Sequence, residues 1–187
     1  MFNRLRNKKP DSSVNTDMLS KQKRYDSLVR ALHADIFRYA YWLCGDKHIA
    51  EDITQETFLR AWRSLESLKD DKAAKAWLIT IVRRENARRF ERKQFDYSDI
   101  EQEQLEDHIS TSTEDNAEQY LIRRQILKLA IEYREPLILQ VIGGFSGEEI
   151  ATILKLNRNT VMTRLFRARN QLKDLIEQPQ VRGQSNG

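Results

Sequence analysis

Between Ser146 and Arg169 the chain carries two short runs of helical period separated by a tight turn, and that pairing leaves few folds open. Ser146 followed by Glu149 is a capping box, which fixes where the first helix starts. Asn157 caps the second. Ile150, Ala151 and Leu154 face inward on the first helix, and Val161, Leu165, Ala168 and Leu172 form the inward stripe of the second. The remaining face of the second helix carries Arg158, Asn159, Thr163, Arg164 and Arg167, and no acid stands between Lys155 and Lys173. The segment therefore reads as a helix-turn-helix whose second helix touches phosphates and base edges in a major groove. A solvated basic helix in an ordinary bundle is the plainer alternative, and the agreement of caps, turn, stripe and charge outweighs it. Lys155 stands where such a turn often has glycine, so a turn of slightly different shape is expected.

The rest of the chain is read as helical too, because glycine and proline are scarce and apolar residues do not alternate. Leu28, Leu32, Ile36, Tyr39 and Leu43 form one stripe, closed by Gly45 as a C-terminal cap. Ile49, Ile53, Ala61, Trp62 and Leu65 form a second, and Trp77, Leu78, Ile81 and Val82 start a third that turns basic from Arg83 to Lys93. Residues 94–116 are acids, serines and threonines with few apolar points, too little to fold alone, and are expected to be a flexible acidic linker. A second domain follows. Ile122, Ile126, Leu129 and Tyr133 are placed on one helix, Pro136 in the first turn of another, and Gly143-Gly144 at its end. The expected organisation is thus all-α. A flexible basic extension spans 1–20, a first helical domain 21–93, the linker 94–116, a helix-turn-helix domain 117–178 and a tail 179–187.

A chain of 187 residues can build such cores without staples, and the single Cys44 forms no internal disulfide. No apolar run approaches a membrane span and no signal-peptide pattern opens the chain, so no membrane insertion and a cytoplasmic location are expected. The net charge of +4 hides a segregation in which two basic blocks flank the acidic segment, and a polyanionic partner follows for each block. Catalysis finds no support. His33, Cys44 and His48 lack the spacing of a metal site, and Gly143-Gly144 lacks the Lys-Ser or Lys-Thr of a phosphate loop. Neither a catalytic group, a metal nor a cofactor is expected, and Trp42, Trp62 and Trp77 are read as core.

Three blocks in order resemble the extracytoplasmic-function (ECF) sigma factors, the small two-domain members of the bacterial sigma-70 family. They are Ala50 to Trp62 (A-E-D-I-T-Q-E-T-F-L-R-A-W), Ala76 to Arg84 (A-W-L-I-T-I-V-R-R) and Glu148 to Arg169 (E-E-I-A-T-I-L-K-L-N-R-N-T-V-M-T-R-L-F-R-A-R). The resemblance implies a promoter-specificity subunit that binds core RNA polymerase and directs initiation through the −10 and −35 elements. Asp52, Gln55 and Glu56 lie within about one helical turn opposite Ile53, and the resemblance assigns them to the β′ clamp helices. It likewise implies contact with the β subunit.

Arg83, Arg84, Asn86, Arg88 and Arg89 correspond to the helix that melts the −10 element, where basic side chains hold phosphates and an Asn can bond a base edge. Arg84 and Arg88 depart from the Asn and Asp usual there, so phosphate binding is expected and no particular −10 base is assigned. Arg158, Asn159, Thr163, Arg164 and Arg167 correspond to the −35 contacts. The resemblance also implies an anti-sigma partner and a linker that threads toward the RNA exit channel. A conventional helix-turn-helix regulator with a dimerising or ligand-sensing first domain is the alternative, and the cations of Arg83 to Lys93 argue against it.

Overall fold

The longest helix shows how local sequence sets the architecture. From Asp11 to Cys44 there is neither glycine nor proline, and a computed structural model, which describes residues 12–96 and 117–177, has α1 unbroken over Ser12–Cys44. Residues 12–20, expected in a flexible extension, instead continue this helix. Side chains farther along anchor it: Arg24 donates to Asp71 Oδ1 at 2.7 Å and to the Leu68 carbonyl at 2.5 Å, and Lys21 pairs with Glu66 at 3.2 Å. Gly45, with φ +80°, ends α1 by donating its N–H to the Tyr41 carbonyl, as the cap expected there.

Asp46 then starts α2 (Lys47–Ser64) by accepting from the Ile49 N–H at 2.9 Å. Two short 3-10 turns, Leu65–Ser67 and Asp71–Ala73, lead into α3 (Ala74–Asp96). These three helices share one core: Ile36, Tyr39 and Leu43 from α1, Ile53, Phe58 and Ala61 from α2, and Leu78, Ile79 and Val82 from α3. Each large apolar side chain buried there contributes about 1.5–3 kcal/mol.

Beyond the acidic segment, most of which (97–116) lies outside the described residues, as do 1–11 and 178–187, the chain folds into α4 (Ala117–Leu127), α5 (Ile131–Val141), α6 (Gly147–Leu154) and α7 (Arg158–Glu177). Two sequence expectations fail here. Ile122, Ile126, Leu129 and Tyr133 do not share a helix, because the chain breaks between α4 and α5; there Arg134 turns back to donate to the Leu127 carbonyl and, at 2.9 Å, to that of Leu129. Ile122 is at the surface while Arg123 is buried, so the inward face of α4 is displaced by one residue from the apolar stripe. Pro136 sits inside α5 rather than in its first turn, buried, where its missing N–H removes one helical hydrogen bond.

The helix-turn-helix matches its sequence signals closely. Ser146 and Glu149 form the reciprocal capping box, and Asn157 Oδ1 accepts from the Thr160 N–H at 2.7 Å. Lys155 takes the glycine-like conformation, φ 55° and ψ 44°, so the turn keeps its left-handed shape despite the substitution. Ile150, Val161, Leu165 and Ala168 are fully buried between α6 and α7.

The two helical units dock against each other through the C-terminal end of α1 and the start of α3. Arg123 is buried with its guanidinium 4.0 Å from the Tyr41 ring centroid and 5.9 Å from that of Trp42. Arg134 also reaches the Leu43 carbonyl at 3.4 Å, and a Cβ on Gly45 would lie 2.4 Å from Leu127 Cδ1. Among the described residues no helix is long and apolar enough to cross a membrane.

Two stability measurements check this packing. Leu165→Ala should lower unfolding free energy by about 2–5 kcal/mol in denaturant titration, because a fully buried leucine leaves a cavity between α6 and α7. Lys155→Gly should raise it by about 0.5–1 kcal/mol, since glycine takes the left-handed conformation without a Cβ penalty. Burial pushes the Cys44 thiol up to about 11. At pH 8 only about a thousandth would be thiolate, so alkylation of Cys44 should be slow in the native protein and fast in denaturant.

Candidate nucleic-acid and polymerase interfaces

Three surfaces carry the charge. On α7 the buried stripe of Val161, Leu165 and Ala168 turns the opposite side outward, and Arg158, Asn159, Thr163 and Arg167 are exposed there. Arg164 is half-buried at the flank, 3.8 Å from Glu132, while Arg167 donates to the Tyr133 hydroxyl at 3.5 Å and Arg158 lies 3.8 Å from Glu148. These long ion pairs at the surface are weak and exchangeable. The face can thus offer donors to phosphates and base edges. It also presents Met162 and Phe166, 46 and 64 % exposed, which the sequence reading passed over. Their signal was present: two apolar residues spaced i, i+4 that miss the buried stripe. Such groups suit thymine methyls.

Asp52 and Gln55 are exposed on α2 and Glu56 is half-buried, with Ile53 turned into the core, as the spacing required. They line a shallow groove of about 520 Å³ between α2 and α3, together with Leu59, Arg60, Glu85, Arg88 and Arg89. Arg60 Nε lies 2.6 Å from Glu85 Oε1 and 2.9 Å from Glu56 Oε1. Arg88 approaches Glu85 at 3.4 Å, and Arg89 approaches Asp52 at 3.8 Å. Acids of α2 and bases of α3 therefore alternate across one surface.

The five residues grouped on α3 for strand contact do not share a face. Successive residues turn by about 100° around a helix, so positions 83, 84, 86, 88 and 89 span most of its circumference. Arg84 points to solvent, Arg88 and Arg89 lean onto the groove with α2, and Arg83 faces α5 and α6. Asn86 is buried at 6 % exposure with its Oδ1 unpartnered, which corrects its placement on a strand-facing surface. Arg83 donates from Nε and Nη2 to the two carboxylate oxygens of Glu135, and from Nη1 to the Ile153 carbonyl at 2.8 Å. Burial works against the Arg83 charge, but the hydrogen bond and charge of Glu135 outweigh it and push its pKa up. Phe90, 55 % exposed beyond these arginines, is a further aromatic that the sequence reading did not single out.

Among the described residues no cluster of histidine, cysteine or carboxylate side chains is arranged to hold a metal. His33 stacks on Phe58 with centroids 5.5 Å apart, and Trp42 and Trp77 pack against the core. Trp62 meets Tyr25 edge-on at 5.1 Å.

The arrangement agrees with comparisons against known proteins. The model of sigma-70 region 2 matches residues 28–95, and that of sigma-70 region 4 matches residues 119–172. The ECF RNA polymerase sigma factor SigL of Mycobacterium tuberculosis is 34% identical over 161 residues, covering 81% of this chain and 90% of that protein. The ECF RNA polymerase sigma factor SigE of Mycolicibacterium smegmatis is 34% identical over 162 residues, and there the match spans 81% of this chain but only 61% of the relative. Among solved structures, the sigma factor RpoE of Bartonella quintana, determined with the anti-sigma factor NepR, superposes with a TM-score of 0.75 at 26% identity, over 84% of this chain and 99% of that one. Region 2 over α1 to α3 and region 4 over α4 to α7, with relatives of this kind along most of its length, make the chain a member of the sigma-70 family, an ECF-type sigma factor of transcription initiation.

Proposed function

We propose that the chain binds core RNA polymerase through the α2 face of Asp52, Gln55 and Glu56, and reads promoter DNA at two places. The exposed face of α7 enters the major groove at the −35 element, and the arginines of α3 hold the opened −10 strand. The observation that carries this reading is the sorting of charge by surface. On α7 every acid is absent from the exposed face between Arg158 and Arg169, and the apolar stripe fixes that face outward. On α2 the acids instead sit beside arginines of α3, a mixed surface that suits a protein partner of complementary charge.

In this reading Arg158, Asn159, Thr163, Arg164 and Arg167 supply phosphate and base contacts, and Met162 and Phe166 add apolar contact to base methyls. Arg84 reaches the strand directly, and Arg83 does so once released from Glu135. Arg88 and Arg89 contribute positive field beside the polymerase-binding groove. Asn86 is left out of the strand contacts because it is buried. The chain performs no chemistry itself; strand opening draws on binding energy within the polymerase complex. An anti-sigma protein that covers one or more of these surfaces is the expected regulator, by likeness to the RpoE complex.

The test mixes purified chain with core polymerase and a pool of promoter fragments, and scores complex formation and promoter-dependent transcripts against core alone. Transcripts that require the chain are expected. Specific duplex binding by the chain alone, without a complex with core, would support the conventional regulator instead. Within the active complex, Asp52→Lys should weaken core binding by about 1–2 kcal/mol in competition titrations, with fold unchanged by circular dichroism. Arg167→Ala should lower −35-dependent promoter affinity by about 1–3 kcal/mol if a base contact is lost, with strand opening on a pre-melted template unaltered.

A further inference from the structure

Arg83 has every nitrogen of its guanidinium engaged by the C-terminal unit: two by Glu135 of α5, one by the Ile153 carbonyl in the last turn of α6. A carboxylate and the negative end of a helix are what a phosphate would otherwise provide at this position. Both partners are withdrawn from solvent, with Arg83 26% and Glu135 17% exposed. Tyr39, wholly buried, has its hydroxyl pushed well up by burial and by the Glu135 charge, with the Arg83 charge acting the other way. Around this point the same interface is held by Arg123 against Tyr41, by Arg134 on the Leu43 carbonyl, and by Leu127 in the space left by Gly45. Lys75 adds a contact, its Nζ 5.9 Å from the Phe145 ring centroid.

The docking treats the two DNA-reading surfaces unequally. It occupies Arg83 while Arg158, Asn159, Thr163 and Arg167 remain exposed on α7. We infer that Glu135 is an internal competitor for Arg83. The docked arrangement is then a self-closed state in which the C-terminal unit covers part of the strand-binding face, and binding of single-stranded DNA there requires the two units to separate. This rests on the reading that α3 contacts the opened −10 strand. Closure lowers apparent strand affinity in proportion to the docked fraction, because only the open fraction competes for the strand.

The experiment uses the full-length chain carrying Ser67→Cys and Asn170→Cys, both exposed sites, labelled for energy transfer, with the buried Cys44 left in place. A fluorescent heteropolymeric DNA oligonucleotide serves as the single-strand probe. Three forms are compared: the parent, Glu135→Gln, and the charge swap Arg83→Glu with Glu135→Arg. Circular dichroism establishes that each is folded. Glu135→Gln should change the energy transfer toward a wider separation and tighten strand binding by about three- to tenfold, the gain expected if the parent is docked about 70–90 % of the time. The charge swap should restore the parent transfer without restoring strand binding, since position 83 is then acidic.

Unchanged transfer in Glu135→Gln would overturn the latch, whatever the strand affinity. Changed transfer with unchanged strand affinity would overturn the competition and point to the strand lying away from Arg83. In that case the reading of the α3 contact fails while the docking itself stands. Failure of the chain to support transcription with core polymerase, in the assay above, would instead sink the functional reading and is scored separately.

Discussion

A helix that ends inside a protein leaves its last carbonyls without partners, and in this molecule arginine side chains meet that demand at the places that decide the architecture. Arg134 serves the end of α1 at Leu43 and the end of α4 at Leu127 and Leu129. Arg83 serves the end of α6 at Ile153, and Arg24 takes the Leu68 carbonyl in the link between α2 and α3. Because a guanidinium has several donors in a fixed fork, one residue can bind carbonyls from two elements and fix their relative position. The charge suits the negative ends of helices as well. Burial lowers the Arg134 pKa but leaves an arginine charged under ordinary conditions. The two helical units are therefore joined by polar bonds to backbone as much as by apolar area.

This explains which parts of the structure could be read from sequence. The helix-turn-helix was legible almost residue by residue, because its signals are local: a capping box, an Asn cap and a stripe each act within a few residues. The core stripes of α1 to α3 were legible for the same reason. The docking of the units was not, since it depends on residues such as Arg123 and Arg134, which by composition look like surface cations. Arg123 is buried because Tyr41 and Trp42, far away in sequence, offer it aromatic faces. The break after α4 was missed on similar grounds, for the apolar spacing from Ile122 to Tyr133 runs across it without interruption.

The candidate surfaces divide along the same line. The α7 face follows from the buried stripe alone, so its arginines fell where expected, whereas Met162 and Phe166 were passed over by attention to charge. On α2, Asp52, Gln55 and Glu56 also gather as the helical period dictates. On α3 the period was not applied strictly enough. A run of basic residues was treated as one surface, although five positions within seven residues encircle a helix. The result is a division of labour that composition could not display: one arginine turned to the second unit, one to solvent and two to the groove with α2.

Gly45 closes α1, and the volume a side chain would fill there is taken by Leu127 of the other unit. The position is thereby under two kinds of selection at once. A larger residue would have to adopt a strained backbone and also displace a leucine that belongs to a different folding unit. Variation at Gly45 and at Leu127 should accordingly be correlated across related chains that dock in this way, and relaxed in those that do not. A single missing methyl thus offers a trace, readable in sequence alignments, of which members of the family share this closed geometry.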